Sequence, residues 1–184
     1  AMAEEIGETG QSRAYVQPYA DRPMDNEHVG EEVYISLINK ATRYCWFVTP
    51  YLILTDEMVH AIRLAKKRGV DVRIITPAIP DKRIVYAVTR SYYHCLAKHG
   101  VRIYEYTPGF CHAKMCVVDD VVATCGTINL DYRSLYHHFE NGCLYAYGPA
   151  VQETRQDMEA MMRESLEVTE KYNTGRSQGM RFIQ

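Results

Sequence analysis

A strand–helix–strand succession between residues 45 and 76 constrains the fold of this chain more than any other feature of its sequence. Two apolar runs, at residues 45–49 and 70–76, are each followed by a proline and have the length of buried strands. Between them, Thr55 is placed to cap a helix that stops at Gly69 and carries basic residues in its last turn. Such a unit joins parallel strands through a right-handed crossover, which predicts an α/β fold.

The second half of the chain continues the alternation of strands and helices. One helical stripe is predicted from Ile84, Val88, Tyr92 and Cys95. A last helix, opened by Pro149, is predicted to have Met158, Met162 and Leu166 on one side. Further strands are predicted at residues 101–106, 114–118, 121–125 and 143–147, the middle two as an antiparallel hairpin. The expected fold class is α/β: a three-layer α/β/α sandwich with a mixed, largely parallel sheet.

Length and composition fit one folded domain with two tails. We expect the domain at residues 15–172, a flexible tail or cloning remnant at 1–14, and a flexible tail at 173–184. The 21 basic and 23 acidic residues give a net charge of −2, which counts against a dedicated non-specific nucleic-acid binder. No run approaches the ~18 apolar residues of a membrane span. The six cysteines are interpreted as reduced structural thiols in a cytosolic compartment.

The densest polar cluster runs from His112 to Glu140, and four of its side chains supply an imidazole, an ammonium, a hydroxyl and an amide. It reads His112-x-Lys114-x4-Asp119-x6-Gly126-Thr127-x-Asn129, followed by Glu140. Alternation in an extended chain places His112 and Lys114 on one face, and a strand end at Gly126 lets Thr127 and Asn129 fold back towards them. These groups together suit a phosphoryl group, because the imidazole can attack phosphorus or move protons while the others hold oxygens. Taken one at a time, His112 is more simply interpreted as a residue that caps a strand, and Lys114 as a solvated surface charge.

This spaced set resembles the signature of the phospholipase D superfamily, the HKD motif. Its surroundings resemble the C-terminal catalytic half of bacterial cardiolipin synthase. The matching segments are TPY at 49–51, GVDVR at 69–73, YEYTPGF at 104–110, NLDYRS at 129–134 and FE at 139–140. The resemblance covers about residues 15–172 and implies a phospholipase D-like fold.

The resemblance also implies a role for each residue of the cluster. His112 would be the nucleophile or its general acid/base partner, and Glu140 would orient that histidine. Lys114 and Asn129 would bind the substrate phosphate together with His112, with Thr127 beside them. Asp119 and Gly126 would be structural members of the motif. No cofactor and no metal site are expected.

The sequence contains one such motif, whereas the family uses two, from one chain or from two. The physical reason is that a group other than the attacking imidazole must protonate the departing alcohol. The expected partner is therefore an N-terminal motif-bearing half of the same enzyme or a second chain. The resemblance further implies phosphatidylglycerol and cardiolipin as ligands. It places the full-length protein at a bacterial cell membrane, its catalytic domain facing the cytoplasm, and the fragment itself is expected to be soluble.

Three functions follow as hypotheses. The leading one is transfer of a phosphatidyl group between two phosphatidylglycerol molecules, giving cardiolipin and glycerol through a phosphohistidine. The second is a dimeric phospholipase D-like phosphodiesterase or nuclease with one motif per chain, although nucleic acid is an unlikely partner for an acidic chain. The third is a non-catalytic half that binds phospholipid head groups.

Overall fold

The computed structural model describes residues 14–24, 27–79 and 81–173. Most of the two expected tails, residues 1–13 and 174–184, lies outside the described residues. The elements in chain order are β1 (Tyr15–Asp21), α1 (Val29–Lys40), β2 (Tyr44–Val48), β3 (Leu52–Ile53), α2 (Asp56–Lys67), β4 (Asp71–Pro77), α3 (Arg83–Lys98), β5 (Arg102–Tyr106), β6 (Met115–Val118), β7 (Val122–Gly126), β8 (Leu130–Asp131), α4 (Tyr132–Tyr136), β9 (Glu140–Ala146), α5 (Pro149–Arg163), β10 (Ser165–Glu167) and α6 (Thr169–Asn173).

The main sheet has eight strands in the order β1-β9-β7-β6-β2-β4-β5-β10, and β3 and β8 form a small parallel pair. The α/β class and the mixed sheet are confirmed. The expectation of a largely parallel sheet is wrong, because only the β2–β4 and β4–β5 pairings are parallel and the other five are antiparallel. The crossover argument holds where a helix joins two strands, at β2–α2–β4–α3–β5. After β5 the chain returns through β6, β7 and β9, which pair antiparallel with their neighbours.

Helix α2 forms as its capping residues predict. The Thr55 hydroxyl accepts a hydrogen bond from the backbone N–H of Met58 at 3.2 Å, and acidic residues occupy the first turn. Gly69, at a φ of 88°, reverses the chain into β4, a conformation that glycine adopts without strain.

The helices lie on both faces of the sheet, which gives the expected three layers. Helices α1, α2 and α3 cover one face, where Ile38, Ile62 and Leu96 are fully buried in the larger core cluster. Helix α5 covers the other face, where Met158 packs in a second cluster with Trp46. Within the described residues, no helix is both long and apolar enough to cross a bilayer.

Helix α3 buries a different face from the one that its apolar spacing predicts. Ile84 is 81% exposed and Val88 is 37% exposed. The buried face instead contains Thr89 and Tyr93, whose hydroxyls are satisfied inside the protein: Thr89 Oγ1 accepts from the N–H of Leu52 at 3.2 Å, and Tyr93 bonds to a threonine of β4. A pattern of apolar residues misses this face because these two side chains count as polar.

The end of helix α5 also differs from the prediction. Met158 and Met162 are buried as expected, but Leu166 is 60% exposed and lies beyond the helix. The chain leaves the helix after Arg163 because Ser165–Glu167 pair antiparallel with β5, with Ser165 opposite Tyr106.

The six cysteines are all free, as expected for reduced thiols. Cys45 and Cys116 are buried with their sulfurs 4.0 Å apart. Cys125 lies on a strand as predicted but is exposed, and Cys95 of α3 is exposed as well.

Candidate active site

The open end of the β6–β7 hairpin positions the motif histidine and lysine. Lys114 directly precedes β6, and its carbonyl oxygen accepts a hydrogen bond from the N–H of Gly126 at 3.3 Å. A side chain at Gly126 has no room, because a Cβ atom there would lie 2.6 Å from the Cα of Gly142 in β9. Glycine at this position therefore lets β9 approach β7 and brings Glu140 beside the segment that follows β7.

His112 and Lys114 contact each other, as their spacing predicts. The Lys114 ammonium group donates to His112 Nδ1 at 2.9 Å and to the His112 carbonyl oxygen at 2.6 Å. An ammonium group can only donate, so Nδ1 accepts, and the neutral ring carries its proton on Nε2. Lys114 is buried and His112 is exposed. Within the described residues, Lys114 forms no ion pair with a carboxylate.

The electrostatic surroundings keep His112 neutral at physiological pH. Burial and the charge of Lys114 lower the pKa of His112 below its usual 6.5, although Asp81 acts in the opposite direction. Burial also lowers the pKa of Lys114, and Glu140 opposes that shift. A neutral imidazole beside a cation is the form needed for attack on a phosphorus atom that carries negative oxygens.

Glu140 is held by hydroxyl groups rather than by His112. Its Oε1 accepts from Ser134 Oγ at 2.6 Å, and its Oε2 accepts from the Thr127 hydroxyl. His138 Nδ1 lies 3.8 Å from Oε1. Among the described residues, no hydrogen bond joins Glu140 to His112, so the orienting role of Glu140 stays a prediction. The Thr127 hydroxyl is likewise engaged by Glu140, and its phosphate-binding role is a prediction too.

Ser134 is a member of the site that sequence reasoning missed. Its Oγ accepts from the backbone N–H of Asn129 at 3.0 Å while it donates to Glu140. The start of helix α4 fixes its backbone, because Asp131 Oδ1 accepts from the Ser134 N–H at 2.8 Å. The segment at residues 129–134 carries the family resemblance, which was the available signal, but nothing in its spacing separates Ser134 from its neighbours.

Asn129 presents an unsatisfied acceptor at the site. Its side-chain oxygen Oδ1 is buried and has no hydrogen-bond partner in the described part of the chain. Buried polar atoms without partners are rare in folded proteins and cost free energy, so we expect water or a hydrogen-bond donor of a ligand to bond to this oxygen.

Two aromatic rings that were not among the predicted site residues flank His112. The ring centroids of Tyr51 and Phe110 lie 6.2 Å and 5.8 Å from the imidazole centroid. The Tyr51 hydroxyl donates to Asp81 Oδ2 at 2.5 Å, and burial and this carboxylate raise the pKa of Tyr51 to about 12. The Tyr51 side chain is therefore uncharged where it borders the site, and its hydrogen bond to Asp81 also anchors the loop before α3.

Asp119 lies at the other end of the hairpin, away from the reactive groups. Its carboxylate accepts from the N–H groups of Thr42, Arg43 and Tyr44 at 2.7–2.8 Å and from the Thr42 hydroxyl at 2.8 Å. Its φ of 56° is a left-handed conformation that aspartate tolerates. These contacts tie the hairpin turn to the start of β2 and support the predicted structural role.

The described residues contain no group of three His, Cys, Asp or Glu side chains that could hold a metal ion. The chemistry that the arrangement can perform comes from the imidazole, the ammonium and the amide. The fold brings His112 together with Lys114. It also brings Asn129 together with Ser134, Glu140 and Thr127. The two groups are joined by the pairing of Lys114 with Gly126.

Replacing Lys114 by glutamine is expected to raise the pKa of His112, because the substitution removes the positive charge beside the ring. Asp81→Asn is the matched control and should lower the pKa, because Asp81 favours the charged imidazole. Both values are read from the pH dependence of the ring resonances in NMR spectra. A wild-type His112 that titrates above 6.5, or one that does not respond to Lys114→Gln, contradicts this account.

Comparisons with known proteins identify the family to which the chain is similar. The family model for the PLD-like domain of cardiolipin synthase matches residues 34–162, which include every predicted site residue. A protein of Streptococcus mutans described as uncharacterized is 49% identical over 158 residues, or 86% of this chain and 34% of that protein. A cardiolipin synthase of Halalkalibacterium halodurans is 40% identical over 131 residues, or 71% of this chain and 26% of that protein. The chain thus spans about a quarter to a third of these relatives.

A solved structure shows the same fold. The crystal structure of Nuc, a phospholipase D family member from Salmonella typhimurium, aligns with a TM-score of 0.69 at 20% identity. The alignment covers 84% of this chain and 97% of that chain. The architecture described above is therefore found in a protein of very different sequence.

Proposed function

The chain belongs to the family of PLD-like domains of cardiolipin synthase, and from this membership we propose that it is one catalytic half of a phosphatidyl transferase. At the coarser level it is a phospholipase D superfamily protein of the phosphotransferase type. The main structural support for a phosphatidyl transferase is the contact of the buried Lys114 ammonium with His112 Nδ1 at 2.9 Å. It pairs a potential nucleophile with a cation that has no carboxylate partner among the described residues.

An arriving phosphodiester would release the imidazole for reaction. Its anionic oxygens attract the Lys114 ammonium more strongly than a neutral ring nitrogen does, because two opposite charges attract each other in addition to the hydrogen bond. Once Lys114 leaves Nδ1, the proton of the neutral ring can move to that nitrogen and Nε2 becomes free to attack. Lys114 then stabilises the negative charge that develops on the phosphate oxygens in the transition state. The Asn129 amide binds the same group beside Lys114.

The proposed reaction has two balanced steps. First, one motif histidine forms a P–N bond to phosphatidylglycerol, the P–O bond to the departing glycerol breaks, and a second histidine protonates that glycerol. Then the glycerol hydroxyl of another phosphatidylglycerol attacks the phosphohistidine and gives its proton to the second histidine. The P–N bond breaks and cardiolipin is released. His112 supplies one of these two histidines, and a second motif supplies the other.

Product analysis tests this function directly. The chain and a separately expressed motif-bearing half of a related cardiolipin synthase are mixed with phosphatidylglycerol in detergent micelles, and lipids and alcohols are identified by mass spectrometry. Equal amounts of cardiolipin and glycerol support the proposal. Phosphatidic acid as the main lipid product would indicate hydrolysis, and cleavage of DNA without lipid products would indicate a nuclease; either result contradicts it.

Inorganic phosphate is expected to bind beside His112, Lys114 and Asn129. Because the ammonium and the amide provide the contacts, a phosphate titration should shift the NMR resonances of the His112 ring. Lys114→Ala or Asn129→Ala should weaken binding about tenfold or more, as expected for loss of a charge-assisted hydrogen bond. Lys98→Ala, which removes an exposed lysine of α3, is the matched control and should leave binding unchanged. Equal weakening by Lys98→Ala would assign the effect to general charge.

A further inference from the structure

Helix α3 carries an exposed apolar stripe that the candidate active site does not use. We call the stripe the α3 stripe; it consists of Ile84, Ala87, Val88, Ser91 and Cys95, all of which are exposed. At 3.6 residues per turn these five positions fall within an arc of about 100° on one side of the helix. The opposite side of the helix is packed in the core and is also formed by uncharged residues.

All charged residues of α3 are basic. The helix contains Arg83, Arg90 and Lys98 and no acidic residue, although the whole chain has a net charge of −2. Arg90 is neutralised by Glu105, whose carboxylate accepts from it at 2.7–2.9 Å. Lys82 and Lys98 are exposed at the two ends of the helix and form no ion pair within the described residues. A lysine therefore lies at each end of the α3 stripe, and the Asp81 carboxylate lies next to the one at the N-terminal end.

The N-terminal end of the α3 stripe adjoins the candidate active site. Asp81, in the loop before α3, accepts a hydrogen bond from Tyr51, whose ring lies 6.2 Å from that of His112. Two more exposed apolar side chains extend the surface on this side: Ile79, 50% exposed, in the same loop, and Phe110, 37% exposed, beside His112. Exposed apolar side chains therefore lie both on α3 and beside His112, with the exposed Asp81 and Lys82 in the loop between them.

We propose that the α3 stripe, with Lys82 and Lys98 at its ends, docks onto an anionic lipid bilayer surface. An apolar helix face edged by basic residues is the pattern that binds the interface of anionic membranes, with the apolar side chains at the headgroup boundary. Docking at the N-terminal end of α3 would bring the headgroups close to His112. The proposal extends the proposed phosphatidyl transfer by naming the surface through which its lipid substrate is reached, and rests on it for the choice of lipid.

Vesicle binding tests the docking surface without requiring turnover. Wild-type chain is mixed with vesicles of phosphatidylglycerol and phosphatidylcholine, or of phosphatidylcholine alone, and binding is measured by co-sedimentation. Wild type should bind the phosphatidylglycerol vesicles, and added salt should weaken that binding. Ile84→Glu and Val88→Glu should each weaken it at least tenfold. The matched control is Val121→Glu, since Val121 is 38% exposed, much like Val88 at 37%, but lies in the β6–β7 turn.

The possible results separate the docking surface from the catalytic proposal. Binding by wild type and Val121→Glu, with loss in both α3 variants, supports docking even if no transfer is detected. Two results would overturn it: no binding by wild type, or equal binding by Val88→Glu and Val121→Glu. Sedimentation velocity adds a third: a dimer that Val88→Glu dissociates while vesicle binding persists would make the α3 stripe a protein contact.

Discussion

The chain alone is expected to convert phosphatidylglycerol into cardiolipin at no measurable rate, and addition of a motif-bearing half should restore turnover. One motif supplies one histidine, and the nucleophile and the acid that protonates glycerol must be different groups. In the restored assembly, His112→Ala should lower kcat by about 100- to 10,000-fold, the range for losing a general acid or base, and further if His112 is the nucleophile. Rates are measured with saturating lipid in micelles.

Two controls make this result specific. His94→Ala removes an exposed histidine of α3 whose ring bonds to a backbone carbonyl, and it should leave kcat within about twofold. Sedimentation of the isolated chain is recorded under the assay conditions. Rapid turnover by a chain that sediments as a monomer would show that a single motif suffices, and the two-histidine mechanism would then be wrong.

Asp119→Asn is expected to destabilise the fold by about 3 kcal/mol, because four donors that now face a carboxylate would face an amide. Asparagine has the size of aspartate and tolerates the same left-handed conformation, so the substitution isolates the electrostatic change. The free energy of unfolding is measured by urea denaturation at neutral pH. Asp157→Asn, on the exposed side of α5, is the matched control and should have almost no effect.

The effect of Asp119→Asn should depend on pH in a defined way. Burial alone would raise the pKa of Asp119, but hydrogen bonds from the backbone of residues 42–44 outweigh it and hold the pKa below 3.8. A carboxylate with a depressed pKa in the folded state contributes stability above its unfolded pKa and loses it as pH falls through the folded value. The difference between wild type and variant should therefore be constant above about pH 5 and narrow in more acidic solution. A variant as stable as wild type but unable to bind phosphate would instead place Asp119 in the ligand site.

Local sequence rules predicted the helices and strands of this fold well. They predicted less well which elements pair or pack with one another. Capping at Thr55, the left-handed turn at Gly69 and the hairpin around Asp119 depend on residues close in sequence, and the structure has all three. Strand direction beyond β5 depends on which distant strands pair, which no local pattern encodes. The buried face of α3 was missed for a related reason: Tyr93 and Thr89 enter the core because their hydroxyls find partners on β4 and β3.

The candidate site shows the same division. The contact between His112 and Lys114 follows from alternation along one extended segment. Ser134 and Tyr51 reach the site from a short helix and from the loop after β2, and their place depends on tertiary packing. Glu140 was predicted as a partner of His112, yet its carboxylate is shared by two hydroxyl groups, one from Ser134, which spacing alone cannot reveal.

The β6–β7 hairpin keeps the two ends of the motif about 16 Å apart, because the four residues of strand β6 lie between Lys114 and Asp119. Substitutions at the two ends of the hairpin are therefore expected to cause loss of function in different ways. A chain altered at His112 should still fold and accumulate but lack activity. A chain altered at Asp119 should unfold more readily and be degraded, so its defect should be sensitive to temperature.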